Sequence, residues 1–206
     1  MCIVPLKSLK GFATEEFGKE EISILDKAIM FATLAHSGQT RKGGKIPYIM
    51  HSMEAAVIAG EIMTSLNRWD DNVLCAALLH DTNEDSKIPL ETLSIVFNWE
   101  VAHLVEAQSE DKSKEWKERK QHTIDYLLFC NDIPAKIVSL SDKLANMRAM
   151  KRDYERVGNR LWERFTVTEK SEHGWYYTSL LQCYDEIKET EAYKEFETLV
   201  QGVFGK

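Results

Sequence analysis

The chain has 206 residues, 44% of them hydrophobic and 29% charged, with a formal net charge of −7. This length and balance fit one globular domain, which we assign to the whole chain, 1–206. The chain is acidic and lacks the excess of positive charge that is expected of a nucleic-acid-binding protein. No apolar run approaches the length of a membrane span. We therefore expect no nucleic-acid partner and no membrane partner.

The four cysteines are far apart in the sequence, and no CxxC pair occurs. One of them, Cys75, lies inside an apolar run. Buried thiols in a reducing compartment are therefore favoured over disulfides or a zinc–thiolate site. The short N-terminal apolar stretch, Cys2 to Leu6, is broken by Pro5 and is too short for the core of a signal peptide. These features indicate a cytoplasmic protein.

Apolar residues recur at helical spacing along most of the chain, and long alternating β-branched runs are absent. The spacing predicts a first helix over residues 22–36 and then a loop, Ser37 to Pro47, that is rich in glycine and basic residues. A second helix is expected to open at His51. Asp70 or Asp71 is expected to cap the helix that contains the next apolar run.

Further helices are predicted through Phe97 and over residues 100–107, followed by a long helix capped by Asn131 or Asp132 and ending near Met150. The remainder, roughly residues 155–203, is typical of one or two aromatic-rich helices that cover a core. No internal repeat and no long linker interrupts the pattern. The fold predicted from these elements is all-α.

The segment Ser109 to Lys120 is dense in both lysine and acidic residues. The favoured interpretation is a helix face exposed to solvent. The alternative is that the basic residues of this segment contact phosphate groups of a ligand.

His80 and Asp81 close the unbroken apolar run Val73 to Leu79, and two more acids, Glu84 and Asp85, follow closely. Unpaired charge beside a buried segment is costly in free energy, so such residues need a partner. The arrangement indicates a metal site with an acid/base group next to it.

Residues from three predicted helices could meet at one ion, namely His51, His80, Asp81 and Asp142. Two imidazoles and two carboxylates suit Mn, Fe or Zn better than Ca or Mg. Asp142 shares one helical stripe with Ser139 and Asn146. Because the stripe contains only short polar groups, it faces either solvent or a site, and spacing alone leaves both possibilities open.

With these residues in hand, the chain resembles the HD-domain phosphohydrolases, specifically the hydrolase domain of RelA/SpoT-type enzymes and the stand-alone small alarmone hydrolases. The resemblance covers about residues 20–185. The matching blocks, in order, are Ala35–Lys42, Pro47–His51, Ala76–Asp85, Glu110–Lys120, Leu140–Arg148, Trp162–Phe165 and Trp175–Tyr177.

The resemblance implies a compact helical bundle with a metal between helices. The implied reaction is hydrolysis of the 3′-diphosphate of guanosine 3′,5′-bis(diphosphate) or its triphosphate relative, which releases pyrophosphate. The implied cofactor is one divalent metal, most often Mn²⁺. The chain has no room for a synthetase domain beside this hydrolase domain.

The resemblance also implies residue roles. The metal ligands would be His51, His80, Asp81 and Asp142, and Glu84 with Asp85 would orient or deprotonate the attacking water. The purine nucleotide would be contacted by Arg41, Lys42, Asn146 and Tyr176.

Three positions depart from the family pattern, namely Asn83, Ser141 and Ala149, and they leave the choice of base and phosphate pattern open. One alternative is the same metal site acting on an adenosine alarmone or on the 2′-phosphate of NADPH. Another is a non-catalytic alarmone-binding module, against which the retention of Glu84 and Asp85 argues. The sequence indicates no particular oligomeric state.

Overall fold

The computed structural model describes residues 22–205, and within that range it contains helices and loops but no β-strand. Its α-helices are α1 (Ile24–Ala35), α2 (Ile49–Ser65), α3 (Asp71–Leu79), α4 (Thr82–Ser86), α5 (Leu90–Val96), α6 (Trp99–Glu106), α7 (Trp116–Phe129), α8 (Ile133–Val157), α9 (Lys170–Leu180) and α10 (Glu191–Phe204). Two 3-10 helices, Gly158–Arg164 and Leu181–Ile187, flank α9. The all-α prediction is confirmed.

Side-chain caps fix the starts of the two helices that matter most for the site. The Asp70 carboxylate accepts the backbone N–H of Asn72 at 2.8 Å and begins α3. The Asp132 carboxylate accepts the N–H of Ala135 at 3.0 Å and begins α8, with a proline in its first turn. Each cap satisfies a backbone donor that the helix itself leaves unpaired.

Helix α3 lies at the centre of the molecule, in contact with α1, α2, α6 and α8. Every residue from Val73 to Leu79 is buried. A helix that is apolar on all sides is stable only when other helices surround it. The carboxyl end of α3, where His80 follows, therefore lies inside the protein.

Helix α8 is longer than predicted, because it continues past Met150 to Val157. The added turns are mostly charged, and ion pairs along the helix support them, between Lys151 and Glu155 at 2.6 Å and between Arg156 and Asp153 at 2.9 Å. Charged residues weaken an apolar periodicity without ending a helix. Gly158 follows the last helical residue, and its φ of +61° suits glycine.

The other helix boundaries lie closer to their predicted positions. Helix α2 opens at Ile49 and not at His51. The C-terminal region contains two α-helices, as predicted, but 3-10 turns interrupt it. The stretch Cys2–Leu6 lies outside the described residues, and the assignment of 1–206 to one domain stays a prediction. Between residues 22 and 205, no helix combines the length and hydropathy needed to cross a bilayer.

Candidate functional site

Three helices bring two histidines and an aspartate to one buried point. His51 lies in the first turn of α2, His80 follows the last residue of α3, and Asp142 lies in the middle of α8. All three residues are buried, with exposed fractions of 5% or less. One ligand atom from each lies within 4.8 Å of the other two. The predicted convergence of three helices is thus present for these residues.

The spacing of the donor atoms fits a shared metal ion. The Nε2 atoms of His51 and His80 are 3.2 Å apart. Asp142 Oδ1 lies 3.0 Å from His51 Nε2 and 3.5 Å from His80 Nε2. Two ligand atoms, each about 2.1 Å from a metal, lie about 3.0–3.4 Å apart at common coordination angles. The buried His–His–Asp group therefore suggests a divalent metal.

Asp81 borders this group from the solvent side. Its Oδ2 atom is 2.8 Å from His80 Nε2 and 3.6 Å from His51 Nε2, and its side chain is 22% exposed. The Tyr48 hydroxyl donates a 2.6 Å hydrogen bond to the same oxygen. Burial, together with the charge of Asp81, raises the pKa of Tyr48, so the hydroxyl keeps its proton and acts as a donor.

Sequence reasoning missed Tyr48. The one signal available was its position just before His51, which places both residues at the start of α2. The ring of His36 packs on Tyr48, with centroids 4.8 Å apart. Tyr48 is thus fixed between α1 and the metal-ligand group.

His80 has a defined orientation. Its Nδ1 atom lies 2.8 Å from the carbonyl oxygen of Ala77, which accepts the Nδ1 proton and leaves Nε2 directed at the other ligands. Burial lowers the pKa of His80, but the charges of Asp81 and Asp142 outweigh burial and hold that pKa well above its usual value. The site therefore has an excess of negative charge that favours a bound cation.

Asp142 is held in place by its own helix. Lys143 Nζ contacts Asp142 Oδ2 at 2.5 Å, and Asn146 Nδ2 donates to Asp142 Oδ1 at 2.5 Å. Burial raises the pKa of Asp142, but Lys143 and His80 overcome this and the net pKa lies well below its usual value. Ser139 is buried too, so the polar stripe of α8 faces the interior and not solvent.

The acidic pair after the metal ligands is anchored by a neighbouring loop. Glu84 accepts the backbone N–H of Glu110 at 2.6 Å and pairs with Lys112 Nζ at 2.9 Å. Lys112 Nζ also contacts Asp85 Oδ1 at 3.1 Å. Glu84 lines the cavity described next, and its side chain is 16% exposed, whereas that of Asp85 is 36% exposed. Of the two acids, Glu84 is thus the one that lines the cavity next to the metal-ligand group.

The site opens into a cavity of about 440 Å³. Among the described residues that line it, the cations are Lys42, Lys112, Arg119, Lys120 and Lys143, and the carboxylates are Asp81, Glu84, Glu110 and Asp142. Aromatic side chains complete its wall, namely Tyr48, Trp116, Phe165 and His173. Cations outnumber carboxylates here, although the chain has a net charge of −7. The cavity is therefore suited to an anionic small molecule with an aromatic ring.

The prediction that residues 109–120 form a solvent-exposed helix face holds for Lys117 and Glu118 but is wrong for Arg119 and Lys120. Helix α7 begins only at Trp116. Arg119 and Lys120 point inward, with side chains 19% and 18% exposed, and pair with Glu110 at 3.0 and 2.5 Å. Glu110 lies on the cavity wall and attracts both cations there. The basic residues are therefore placed for contact with a ligand.

The other predicted substrate contacts occupy two different environments. Arg41 Nη2 donates to Asn146 Oδ1 at 3.0 Å, and Lys42 Nζ lies 5.3 Å from the ring centroid of Phe165 at the cavity wall. Tyr176, by contrast, is only 3% exposed and lies beneath Lys120, whose Nζ is 4.8 Å from its ring centroid. Lys42 and Asn146 thus line the cavity, Arg41 is joined to it through Asn146, and Tyr176 lies behind its wall.

The chain is similar to several curated proteins. It is 36% identical over 133 residues to the guanosine-3′,5′-bis(diphosphate) 3′-pyrophosphohydrolase MESH1 of Xenopus tropicalis, a match that covers 64% of this chain and 72% of that protein. It is 34% identical over 148 residues to the guanosine-3′,5′-bis(diphosphate) 3′-pyrophosphohydrolase of Vibrio cholerae, with 69% of this chain covered but 20% of that protein. The match to a GTP pyrophosphokinase of Myxococcus xanthus covers 17% of that protein. The chain thus spans only about a fifth of these long bacterial relatives.

Two solved structures share the fold. One is that of a metazoan SpoT ortholog that hydrolyses ppGpp, with a TM-score of 0.68, 24% identity and coverage of 92% of this chain and 100% of that one. The other is lmo0812 from Listeria monocytogenes, with a TM-score of 0.66, 26% identity and coverage of 76% and 99%. The sequence profile of the HD domain matches residues 28–167. Since that match covers more than half of the chain, the protein belongs to the HD domain family.

Proposed function

We propose that this protein is a metal-dependent hydrolase that removes the 3′-diphosphate from guanosine 3′,5′-bis(diphosphate) or its triphosphate relative, with Mn²⁺ as its ion. One observation carries the proposal: a buried His–His–Asp group opens onto a cavity whose cations outnumber its carboxylates. The names of the Xenopus and Vibrio relatives support this substrate and this reaction.

In this proposal His51, His80 and Asp142 hold the ion, and Asp81 completes the set at the cavity edge. The two carboxylates supply negative charge, and the hydrogen bond from His80 to Ala77 keeps the ligating nitrogen in position. A bound divalent ion would lower the pKa of a water molecule toward neutrality and offset charge on the reacting phosphate.

Glu84 accepts a proton from the attacking water, and Asp85 keeps Lys112 in place beside it. The water oxygen forms a bond to the phosphorus atom attached to the ribose 3′-oxygen. The bond between that phosphorus and the 3′-oxygen breaks, and the 3′-oxygen takes up a proton. For guanosine 3′,5′-bis(diphosphate) the products are guanosine 5′-diphosphate and pyrophosphate.

The rest of the cavity binds the nucleotide. Arg41 stacks on the purine with its planar guanidinium, while Lys42 lies next to it and Asn146 contacts the nucleoside. Lys112, Arg119 and Lys120 offset the charge of the phosphates. Tyr176 acts indirectly, since its ring supports Lys120 from below.

We also propose a cytoplasmic location for the protein. Cys75, Cys130 and Cys183 are free cysteines, and two of them are buried. Free thiols are typical of a reducing compartment.

The test is to incubate the Mn²⁺-loaded protein with guanosine 3′,5′-bis(diphosphate), its adenosine counterpart and NADPH at equal concentrations. We expect pyrophosphate release from the guanosine nucleotide, loss of that release with a chelator and its return with added Mn²⁺. Intact guanosine nucleotide together with phosphate release from NADPH would assign the site to another purine substrate. Binding of every nucleotide without hydrolysis would indicate a non-catalytic module.

A further inference from the structure

The loop between α1 and α2, which carries Arg41 and Lys42, has a defined backbone conformation. The N–H of Arg41 donates to the carbonyl oxygen of Ile46 at 2.9 Å, and the N–H of Gly44 donates to the carbonyl oxygen of Arg41 at 3.3 Å. Gly43, at the tip, has a φ of +77°. These local bonds set the shape of the loop but do not fix it against the body of the protein.

Arg164 makes a contact that does so, in addition to the hydrogen bond from Arg41 to Asn146 on α8. A Cβ atom placed on Gly43 would lie 2.6 Å from Nη1 and 2.7 Å from Cζ of Arg164, so the guanidinium rests directly on the glycine. Arg164 Nη1 in turn donates to Asp153 Oδ2, at 2.7 Å, on the last turns of α8. The tip of the loop therefore packs against an ion pair, and the positive φ of Gly43 favours glycine at this position.

Lys42 and Phe165, the chain neighbours of Gly43 and Arg164, also lie close together. Lys42 Nζ lies 5.3 Å from the ring centroid of Phe165, the residue after Arg164. Two consecutive loop residues thus rest on two consecutive residues that follow the end of α8. We call Asp153, Arg164 and Phe165 the loop clamp.

We propose that the loop clamp holds Arg41 and Lys42 in their binding positions, and that Arg164 is thereby a positioning residue for the nucleotide. The identity of the ligand, a nucleotide, rests on the proposed function. Arg164 is not among the described residues that line the cavity, so it acts on a ligand through its neighbours Lys42 and Phe165, which do line it. A loop that is ordered before binding spares the ligand the entropy of ordering it.

The kinetic consequence is a change in KM without a matching change in kcat. Arg41 and Lys42 contact parts of the nucleotide that do not react, so they bind the ground state and the transition state equally. We expect Arg164→Ala to raise KM about tenfold while kcat stays within about threefold. Arg164→Lys keeps the charge opposite Asp153 but not the flat surface over Gly43, so it should rescue part of the loss.

Arg156→Ala is the matched control. Arg156 also pairs with Asp153, at 2.9 Å, but its side chain is 63% exposed and it makes no part of the loop clamp. Removing it tests whether any arginine on Asp153 would have the same effect. We expect both KM and kcat of this variant to match those of the unaltered protein.

A second measurement needs no enzymatic activity. The loop contains three trypsin sites, after Arg41, Lys42 and Lys45. The folded protein is treated with trypsin, and mass spectrometry of the products gives the rate of cleavage at these sites. That rate reports local opening of the loop. We expect cleavage about tenfold faster in Arg164→Ala than in Arg156→Ala. Asp153→Ala combined with Arg164→Ala should be no faster than Arg164→Ala alone, because the aspartate acts through the arginine.

Equal loop cleavage in Arg164→Ala and Arg156→Ala would overturn the loop clamp, whatever the protein hydrolyses. A fall in kcat with unchanged KM would overturn it as well. If neither the unaltered protein nor any variant hydrolyses a nucleotide, the proposed function is wrong. The cleavage rates alone then test whether the loop clamp holds the loop. Thermal unfolding of each variant checks that the helices remain intact, and Arg164→Lys takes the place of Arg164→Ala if the alanine variant does not fold.

Discussion

The two ends of the cavity, the proposed metal end and the proposed nucleotide end, are built in different ways. At the metal end, His51, His80 and Asp142 project from buried helices that the core holds in place. At the nucleotide end, Arg41 and Lys42 lie on a loop, and Lys112 lies just before a helix. Side chains at the nucleotide end are fixed mainly by ion pairs and hydrogen bonds to one another. A substitution at the metal end should therefore abolish hydrolysis, whereas a substitution at the nucleotide end should change it only in degree.

The sharpest test of the metal end is Asp142→Asn. This change keeps the shape of the side chain but removes the charge that the ion requires, so we expect metal content and hydrolysis both to fall to background. Elemental analysis of the purified protein and a pyrophosphate assay measure these two quantities. Ser139→Ala, on the same stripe of α8, is the control and should retain the metal. Full metal content in Asp142→Asn would show that Asp142 is not a ligand.

Glu84→Gln separates chemistry from metal binding. The amide cannot accept a proton from water, so we expect kcat to fall by about 10²–10⁴ while metal content stays the same. Steady-state kinetics at saturating Mn²⁺ give this value. Glu91→Gln, an exposed position on α5, is the matched control. An unchanged kcat in Glu84→Gln would exclude it as the proton acceptor.

Tyr48→Phe removes the hydroxyl group that lies next to Asp81. The hydroxyl donates to Asp81, and such outer hydrogen bonds orient a ligating carboxylate. We expect Mn²⁺ affinity to fall by about 10–100-fold, measured by calorimetric titration of the metal-free protein. Tyr126→Phe, on α7, should leave the affinity as it was. Unaltered affinity in Tyr48→Phe would mean that the tyrosine serves only packing.

Arg41→Lys should have the smallest effect. Lysine keeps the positive charge but cannot stack on a base or present a planar fork to Asn146, so we expect KM to rise by about threefold to tenfold with little change in kcat. Lys45→Arg, an exposed position in the same loop, controls for altered charge geometry. A large fall in kcat instead would move Arg41 from nucleotide binding into the chemistry.

The convergence of His51, His80 and Asp142 was predictable because ionisable residues next to an apolar helix have few alternatives. The run Val73–Leu79 had to be buried, and His80 was therefore buried with it. Asp142 was harder to assign, since spacing alone left the polar stripe of α8 facing either solvent or the site. Only packing against α2 and α3 shows that it faces inward.

The nucleotide end was less predictable, for a physical reason. Arg119 and Lys120 turn inward because Glu110 lies on the cavity wall, and no local pattern in residues 109–120 reveals that position. The Tyr48 hydroxyl and the contact of Arg164 with Gly43 join residues that are distant in sequence. Propensity and periodicity describe local structure, so contacts of this kind become visible only when the chain is folded.

Helix α8 carries Asp142 at the metal, Asn146 at the Arg41 side chain and Asp153 at the loop clamp. A straight α-helix rises about 1.5 Å per residue, so these positions lie about 6 Å and about 16 Å along the axis from the metal ligand. Under the proposed function, α8 would act as a rigid spacer between the metal ligand and the residues that bind the nucleotide. Inserting a single residue after Asp142 would turn Asn146 by about 100° and so separate it from Arg41.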